Sequence, residues 1–150
     1  MSGRRLGYMV VPEHLKREVL KVHDATIICT PRISQVAGLA ALTGDQSHLA
    51  EFEITLSRRR ALICERLAAI PGVFQFVKPE GAYYVCPRIV LDHDDSCSFC
   101  IRLLEQARVR VTRGGAFGPD VEHHVRMAYC VPEETIETAF DRIDRYYKGQ

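Results

Sequence analysis

The segment Lys78-Pro79-Glu80-Gly81-Ala82-Tyr83-Tyr84-Val85-Cys86-Pro87 holds a short apolar and aromatic run between turn residues and a proline. The run 81–86 predicts a strand, and Pro87 ends it because proline has no N–H for a sheet ladder. Around this run, strands predicted at 74–77, 109–112 and 125–130 alternate with helices at 96–107 and from 132 onward. This order predicts an α/β fold, in the form of a compact α+β layer over about residues 71–149.

Helices dominate the chain before that layer. Leu49, Phe52, Leu56, Ile63 and Leu67 recur at helical steps and predict a long helix over 48–70, which Pro71-Gly72 stops. A shorter helix is predicted from 34 to 42, and another begins at Pro12-Glu13 because proline and an acidic residue suit a first turn. The apolar run Leu6 to Val11 predicts a buried strand, and Ser96 is expected to cap the helix that it opens.

Composition excludes several classes of protein. The 150 residues are 47% hydrophobic and 26% charged with a net charge of +1, which is typical of a globular domain without a nucleic-acid or acidic-membrane surface. No stretch approaches the roughly 18 apolar residues of a membrane span, and no signal peptide is visible. The six cysteines, without an export signal, predict buried or reduced thiols and a cytoplasmic setting.

Four segments, in order, resemble the fold-type-I aminotransferases of classes I and II, which use pyridoxal 5'-phosphate (PLP). Residues 1–8, Met-Ser-Gly-Arg-Arg-Leu-Gly-Tyr, resemble the stretch after the cofactor lysine, and residues 78–85 resemble the family segment K-P-x-G-A-F-Y. Residues 114–118, Gly-Gly-Ala-Phe-Gly, resemble P-G-x-x-F-G, and residues 124–129 resemble the V-R-[IL]-[AS] strand. Arg4 stands where the family has tryptophan, and Arg113 where it has proline, so the local loops are expected to differ. The resemblance covers nearly the whole chain.

The resemblance implies the C-terminal part of a homodimeric enzyme that moves an amino group between an amino acid and a 2-oxo acid. Residues 1–32 would be a remnant of the PLP-binding large domain, residues 33–70 linking helices, and residues 71–150 the C-terminal small domain. Aspartate and aromatic amino acids both stay open as substrates. No membrane or nucleic acid is expected as a partner.

Two arginines are the site residues that the resemblance implies. Arg5 would hold the cofactor phosphate, a role that suits a planar and permanently charged group. Arg126 would grip the substrate α-carboxylate through two parallel hydrogen bonds and so orient the reacting bond. The alternative for each is an arginine that faces water.

The catalytic lysine of the family has no match in the chain. It would lie about eight residues before the phosphate arginine, and counting back from Arg5 runs past residue 1. Lys16, Lys21, Lys78 and Lys148 stand in helix, turn or tail contexts that do not fit. The chain alone is therefore expected to be inactive, and a non-catalytic split-gene or partner-binding module is the alternative function.

Other residue patterns are expected to serve structure. Cys97 and Cys100 have the C-x-x-C spacing of a zinc or redox site, but no second pair exists, so two ordinary helix cysteines are favoured over a metal site that recruits His93, His123 or His124. The sequence 92–95, Asp-His-Asp-Asp, predicts a solvated loop that leads into a helix. Gly114, Gly115 and Gly118 are expected to serve backbone geometry, and Phe117 to fill a packing position.

Overall fold

The computed structural model describes residues 2–91 and 95–148, and it divides the chain into two units, Met1–His48 and Leu49–Gln150. Five α-helices occur in the described residues: α1 Glu13–Thr26, α2 Arg32–Thr43, α3 His48–Ala68, α4 Ser96–Ala107 and α5 Glu133–Lys148. Five short strands accompany them: β1 Phe74–Gln75, β2 Tyr84–Val85, β3 Arg88–Ile89, β4 Thr112–Arg113 and β5 Val125–Ala128. The predicted α+β layer is confirmed, but its strands are shorter than predicted, β4 overlaps its predicted range only at Thr112, and β3 is a strand that the sequence did not predict.

The first unit consists of helices α1 and α2 and the segment before them. Pro12 and Pro31 stand immediately before the two helices, as expected of a residue that suits a helix start. Between the helices, Ile28 has a φ of 66°, a left-handed conformation that interrupts the helical path. No residue of α1 is buried, and in α2 only Ser34 and Gly38 are.

The prediction of a buried strand over residues 6–11 is wrong. The segment has no strand partner among the described residues, and Tyr8, Met9 and Val10 are 78%, 70% and 87% exposed. An apolar run becomes a strand only when a neighbouring strand supplies partners for its backbone N–H and C=O groups. The only residue of the run that is not exposed is Val11, which is half-buried.

The second unit contains two small antiparallel sheets. Strand β5 lies at the centre of the three-stranded one, with β2 and β4 on either side, and β1 pairs with β3 in the other. The short loop Cys86-Pro87 joins β2 to β3, and the N–H of Val125 donates to the Pro87 carbonyl at 3.0 Å. The two sheets are therefore linked through the chain around Pro87.

One apolar core fills the second unit. Ile63 and Leu67 of α3, Phe99 and Leu103 of α4, and a stripe on α5 contribute fully buried side chains. The stripe on α5 consists of Ile136, Phe140 and Ile143, as the sequence predicts. The rings of Phe74 and Phe99 meet edge to face with centroids 5.6 Å apart, the preferred geometry for an aromatic pair.

A cluster of charges joins α3 to α5 at the edge of this core. The guanidinium of Arg66 donates to the carboxylates of Glu137 at 2.6 Å, Asp141 at 2.7 Å and Asp144 at 3.3 Å. The three carboxylates stand at helical steps on one face of α5, so a single planar fork can reach all of them.

The helix predicted at 96–107 is present, but Ser96 does not cap it. Asp95 is the cap, and its carboxylate accepts hydrogen bonds from the N–H groups of Cys97 and Ser98. Aspartate is as good an N-cap as serine, so the helix-forming pattern cannot distinguish two adjacent candidates. The prediction that residues 92–95 lead into a helix is confirmed at Asp95, and residues 92–94 lie outside the described residues.

Candidate functional site

The outer face of the three-stranded sheet carries Arg126. Val125 and Met127 on β5 are buried in the core, so the alternation of a strand places Arg126 and Ala128 on the opposite face. Arg126 lies opposite Thr112 of β4, and Ala128 lies opposite Tyr84 of β2. Arg126 and Tyr84 are therefore diagonal neighbours on one face, within reach of long side chains.

Two aromatic rings contact the Arg126 guanidinium. Its central carbon Cζ lies 4.4 Å from the centroid of the Tyr84 ring and 4.6 Å from that of Phe117. Both distances are within the range of a cation–π interaction. Arg126 is half-buried, and it makes no ion pair with any carboxylate among the described residues. Its N–H donors are therefore not committed to a protein carboxylate in this part of the chain.

Tyr84 follows a turn that is held in several places. Nη1 of Arg60 on α3 donates to the Pro79 carbonyl at 3.4 Å, and the Tyr129 hydroxyl donates to the Ala82 carbonyl at 3.0 Å. Ala82 has a φ of 58°, and the Tyr129 N–H bonds to the Tyr83 carbonyl at 2.9 Å. A hydrogen bond with Tyr83 is the main cause that raises the pKa of the Tyr84 phenol above its ordinary value. Tyr84 is thus neutral near neutral pH and does not cancel the charge of Arg126.

Phe117 comes from the glycine turn after β4, a 3-10 turn over Gly114–Phe117. Gly114 donates its N–H to the His124 carbonyl at 2.7 Å, and a Cβ there would collide with the carbonyl oxygens of Val121 and His124. Gly118, which ends the turn, has a φ of 136°, a conformation open mainly to glycine. The prediction that these glycines serve backbone geometry is confirmed at both positions.

A buried serine fixes the other side of the same turn. The N–H of Gly115 donates to Ser96 Oγ at 3.2 Å, and that hydroxyl donates to Oε1 of Glu122 at 3.0 Å. The prediction that Phe117 fills a packing position is wrong, because its side chain is 54% exposed and stacks on Arg126 instead.

Arg5 lies in the first unit. It is exposed, has a φ of 50°, and makes no hydrogen bond or ion pair with a residue that the structure describes. Its neighbour is fixed, since the buried Ser34 hydroxyl donates to the Arg4 carbonyl at 3.0 Å. Arg5 and Arg126 belong to different units.

The six cysteines differ in their exposure to solvent. All six are free thiols, but Cys29, Cys86 and Cys130 are exposed and the other three are half-buried, so the prediction of buried or reduced thiols holds for free thiols and not for burial. Burial is the main cause that raises the pKa of Cys100 to about 11, and nearby Cys97 adds to it. Within residues 2–91 and 95–148, no three His, Cys, Asp or Glu side chains come together as a metal site requires. No helix in those ranges is long and apolar enough to cross a bilayer.

The sequence profile of the family described as "Aminotransferase class I and II" matches residues 1–143. The chain belongs to the class I and II aminotransferase family. Members of this family are generally PLP-dependent, and the small α+β domain seen here agrees with the fold of its solved relatives. The resemblance carried by the four sequence segments is thus confirmed.

Three relatives illustrate the similarity. An aspartate aminotransferase of Pyrococcus horikoshii is 36% identical over 152 residues, covering 100% of this chain and 39% of the relative. The crystal structure of an aromatic aminotransferase from the same organism superposes with a TM-score of 0.82 at 34% identity, covering 99% of this chain and 40% of that one. An alanine aminotransferase from Pyrococcus furiosus gives a TM-score of 0.83 at 34% identity, covering 99% and 39%. The chain therefore spans about two-fifths of the length of its relatives.

Tyr84 and Phe117 are the residues that sequence reasoning missed at this site. Both stand inside family-like segments, but Tyr84 received no role and Phe117 only a packing role, because their contact with Arg126 depends on strand register and on the shape of the glycine turn. The available signal was the short distance in sequence from β4 through the glycine turn to Phe117. That short connection keeps Phe117 close to the strand that pairs with Arg126.

Proposed function

We propose that this chain is the C-terminal part of a PLP-dependent aminotransferase that transfers an amino group between an amino acid and a 2-oxo acid. The observation that carries the proposal is the guanidinium of Arg126, which stacks on two aromatic rings and has no carboxylate partner among the described residues. A cation held in this way on an open sheet face is suited to bind an anionic ligand.

Arg126 would bind the substrate α-carboxylate. The guanidinium offers paired N–H donors that match the two oxygens of a carboxylate, and two parallel hydrogen bonds fix orientation as well as position. Orientation matters because the bond to be broken at Cα must be aligned with the cofactor ring. A residue that acts in this way lowers the barrier without itself exchanging a proton.

Arg5 would bind the PLP phosphate. Its side chain fits the group, since it is exposed, permanently charged and free of partners among the described residues. The left-handed backbone at Arg5 and the hydrogen bond to the Arg4 carbonyl set the direction in which the chain passes this position. PLP, when bound, supplies the electron sink that amino-group transfer needs.

The chain alone would be inactive, because none of its lysines is placed for covalent chemistry with the cofactor. All four are exposed, and Lys16, Lys21 and Lys148 pair with carboxylates of their own helices. A Schiff-base lysine instead needs a desolvated site that lowers its pKa. The lysine would come from the part of the enzyme that these 150 residues do not include.

The names of similar enzymes support only the class of substrate, while the assembly and the location rest on the family resemblance and the composition. Aspartate, aromatic amino acids and alanine appear in the names of similar enzymes, so we propose an amino acid of the aspartate or aromatic class. We also propose a homodimer in the cytoplasm. Residues 1–32 would belong to the large domain, residues 33–70 would link, and residues 71–150 would form the small domain.

A second candidate is a non-catalytic split-gene product or partner-binding module. The observation in its favour is the exposed apolar surface of the first unit, where Ile33, Val36, Leu39 and Leu42 on α2 are each about 60% exposed or more. Such a surface marks a binding face. Because the chain spans only about two-fifths of its relatives' length, this surface is compatible both with part of a larger enzyme and with a partner-binding module.

The proposal is tested in the full-length enzyme by comparing Arg126→Lys with Arg5→Ala. Arg126→Lys keeps the charge but loses the two parallel hydrogen bonds that a planar guanidinium donates to a carboxylate. Binding of the transition state should weaken by roughly 2–4 kcal/mol, which is measured as a lower kcat/KM for amino and oxo acids, while the absorbance of bound PLP stays unchanged. Arg5→Ala should release PLP instead. The proposal fails if Arg126→Lys turns over normally, or if it empties the enzyme of PLP while Arg5→Ala does not.

A further inference from the structure

The guanidinium of Arg126 is held by contacts that come from two separate segments. Tyr84 belongs to β2, which pairs with one side of β5, and Phe117 follows β4, which pairs with the other side. Their ring centroids lie 4.4 Å and 4.6 Å from Arg126 Cζ. One flexible side chain therefore touches an aromatic ring from strand β2 on one side and a ring from the turn after β4 on the other.

The backbone that carries each ring is held by contacts that do not involve the Arg126 side chain. Tyr84 stands in the β2–β5 ladder directly after a turn that Arg60 and Tyr129 hold. Phe117 stands on the glycine turn, whose N–H groups bond to the His124 carbonyl and to the buried Ser96 hydroxyl. These two backbone segments thus form a frame that presents both rings to the arginine side chain.

An arginine without such a frame samples many rotamers and loses this freedom when it binds a ligand. Stacking on the ring faces limits that freedom in advance and leaves the N–H edge of the guanidinium available for hydrogen bonds. We propose that Tyr84 and Phe117 are positioning residues that preorganise Arg126 for carboxylate binding. This inference rests on the proposed role of Arg126 as the carboxylate ligand.

The alternative is that the two rings only stabilise the fold. Neither belongs to the apolar core, since Phe117 is 54% exposed and Tyr84 stands on the sheet face that points away from it. Removing either ring should therefore change the thermal midpoint of the enzyme little. A positioning role predicts a selective effect on carboxylate ligands, which a general loss of stability would not produce.

The test uses the full-length enzyme with Tyr84→Leu, Phe117→Leu and Arg126→Lys, and with the conservative variants Tyr84→Phe and Phe117→Tyr. Each leucine variant should raise KM for amino acids, and the Kd of the unreactive acids succinate and 3-phenylpropionate, by about tenfold, the scale of one partly desolvated cation–π contact. The two acids cover the dicarboxylate and aromatic substrate classes. The conservative variants keep an aromatic face and should bind both within about twofold of the wild type.

A primary amine without an α-carboxylate serves as the internal control. Its single-turnover rate with the PLP enzyme should be unchanged in both leucine variants, because it makes no use of Arg126. Equal losses for amine and amino acid would overturn the inference in favour of a general structural role. If the leucine variants bind both acids normally while Arg126→Lys is impaired, the positioning role is refuted but the proposed role of Arg126 stands. A normal Arg126→Lys would instead refute the proposed function on which it rests.

Discussion

Ser96, which is fully buried at the start of α4, donates a hydrogen bond of 3.0 Å from its hydroxyl to Oε1 of Glu122. The same oxygen of Ser96 accepts the N–H of Gly115 at 3.2 Å, and the Ser96 N–H donates to the Glu122 carbonyl at 3.1 Å. A single serine thereby joins the first turn of α4 to the glycine turn and to the segment that leads into β5. This explains why a small polar side chain is buried here.

We predict that Ser96→Ala lowers the free energy of unfolding by about 1–3 kcal/mol, because the Glu122 carboxylate and the Gly115 N–H both lose a partner. Urea unfolding of the chain, followed by circular dichroism, measures the change. Ser57→Ala on the exposed face of α3 is the matched control and should stay within about 0.5 kcal/mol of the wild type. A loss for Ser96→Ala no larger than that of the control would mean that the network contributes nothing to stability.

The helices were predictable from the sequence because their signals are local. Pro12-Glu13 placed the start of α1, the apolar stripe after Pro132 placed the start of α5, and the range predicted for α2, 34–42, lies within two residues of the observed helix at each end. The choice of Ser96 over Asp95 as a cap failed for the same reason: two good capping residues stand side by side, and the packing of Ser96 against distant Glu122 decides between them.

The structure of segment 6–11 and the contacts of Arg126 depend on residues distant in sequence, so local sequence patterns could not predict them. An apolar run predicts a strand, yet pairing depends on a partner strand that the run does not specify, and this run has none among the described residues. Arg126 could be singled out from its flanking residues. Its contact with Phe117 could not, because that contact depends on the β4–β5 register and on the path of the glycine turn.

We predict that Cys100 reacts slowly with iodoacetamide near neutral pH, because burial raises the pKa of its thiol to about 11 and only the thiolate is nucleophilic. From about pH 7.5 to pH 9.5 its alkylation rate should rise about tenfold per pH unit without levelling off. Mass spectrometry of the peptide that contains Cys100, after timed quenching, gives the rate. A variant with Cys97→Ser is the control for the neighbouring thiol. A rate that reaches its plateau below about pH 9 would contradict the effect of burial.

We predict that the 150-residue chain, mixed with PLP and reduced with borohydride, carries no single stoichiometrically labelled lysine and shows no transaminase turnover. The physical reason is that all four lysines are exposed, so none has a desolvated site that would favour its reaction with the PLP aldehyde over the others. Peptide mapping gives the extent of labelling at each lysine, and free polylysine treated in parallel gives the background. One lysine labelled fully, together with turnover, would refute the proposal that the catalytic lysine lies outside these residues.

The apolar surface of the first unit leads to the last prediction. Ile33, Val36, Leu39 and Leu42 on α2 are 66%, 59%, 63% and 63% exposed, and Tyr8, Met9 and Val10 are more exposed still. Surface of this kind promotes association with itself or with a partner. The isolated chain should therefore self-associate with rising concentration in sedimentation velocity experiments and bind a hydrophobic dye.

Val36→Lys and Leu39→Lys should each weaken association by about tenfold or more, since burying one such side chain contributes roughly 1.5–3 kcal/mol. His14→Lys on the exposed surface of α1 adds a lysine without removing apolar area, and it should leave association unchanged. A chain that stays monomeric over a wide concentration range without binding dye would show that this surface does not drive self-association.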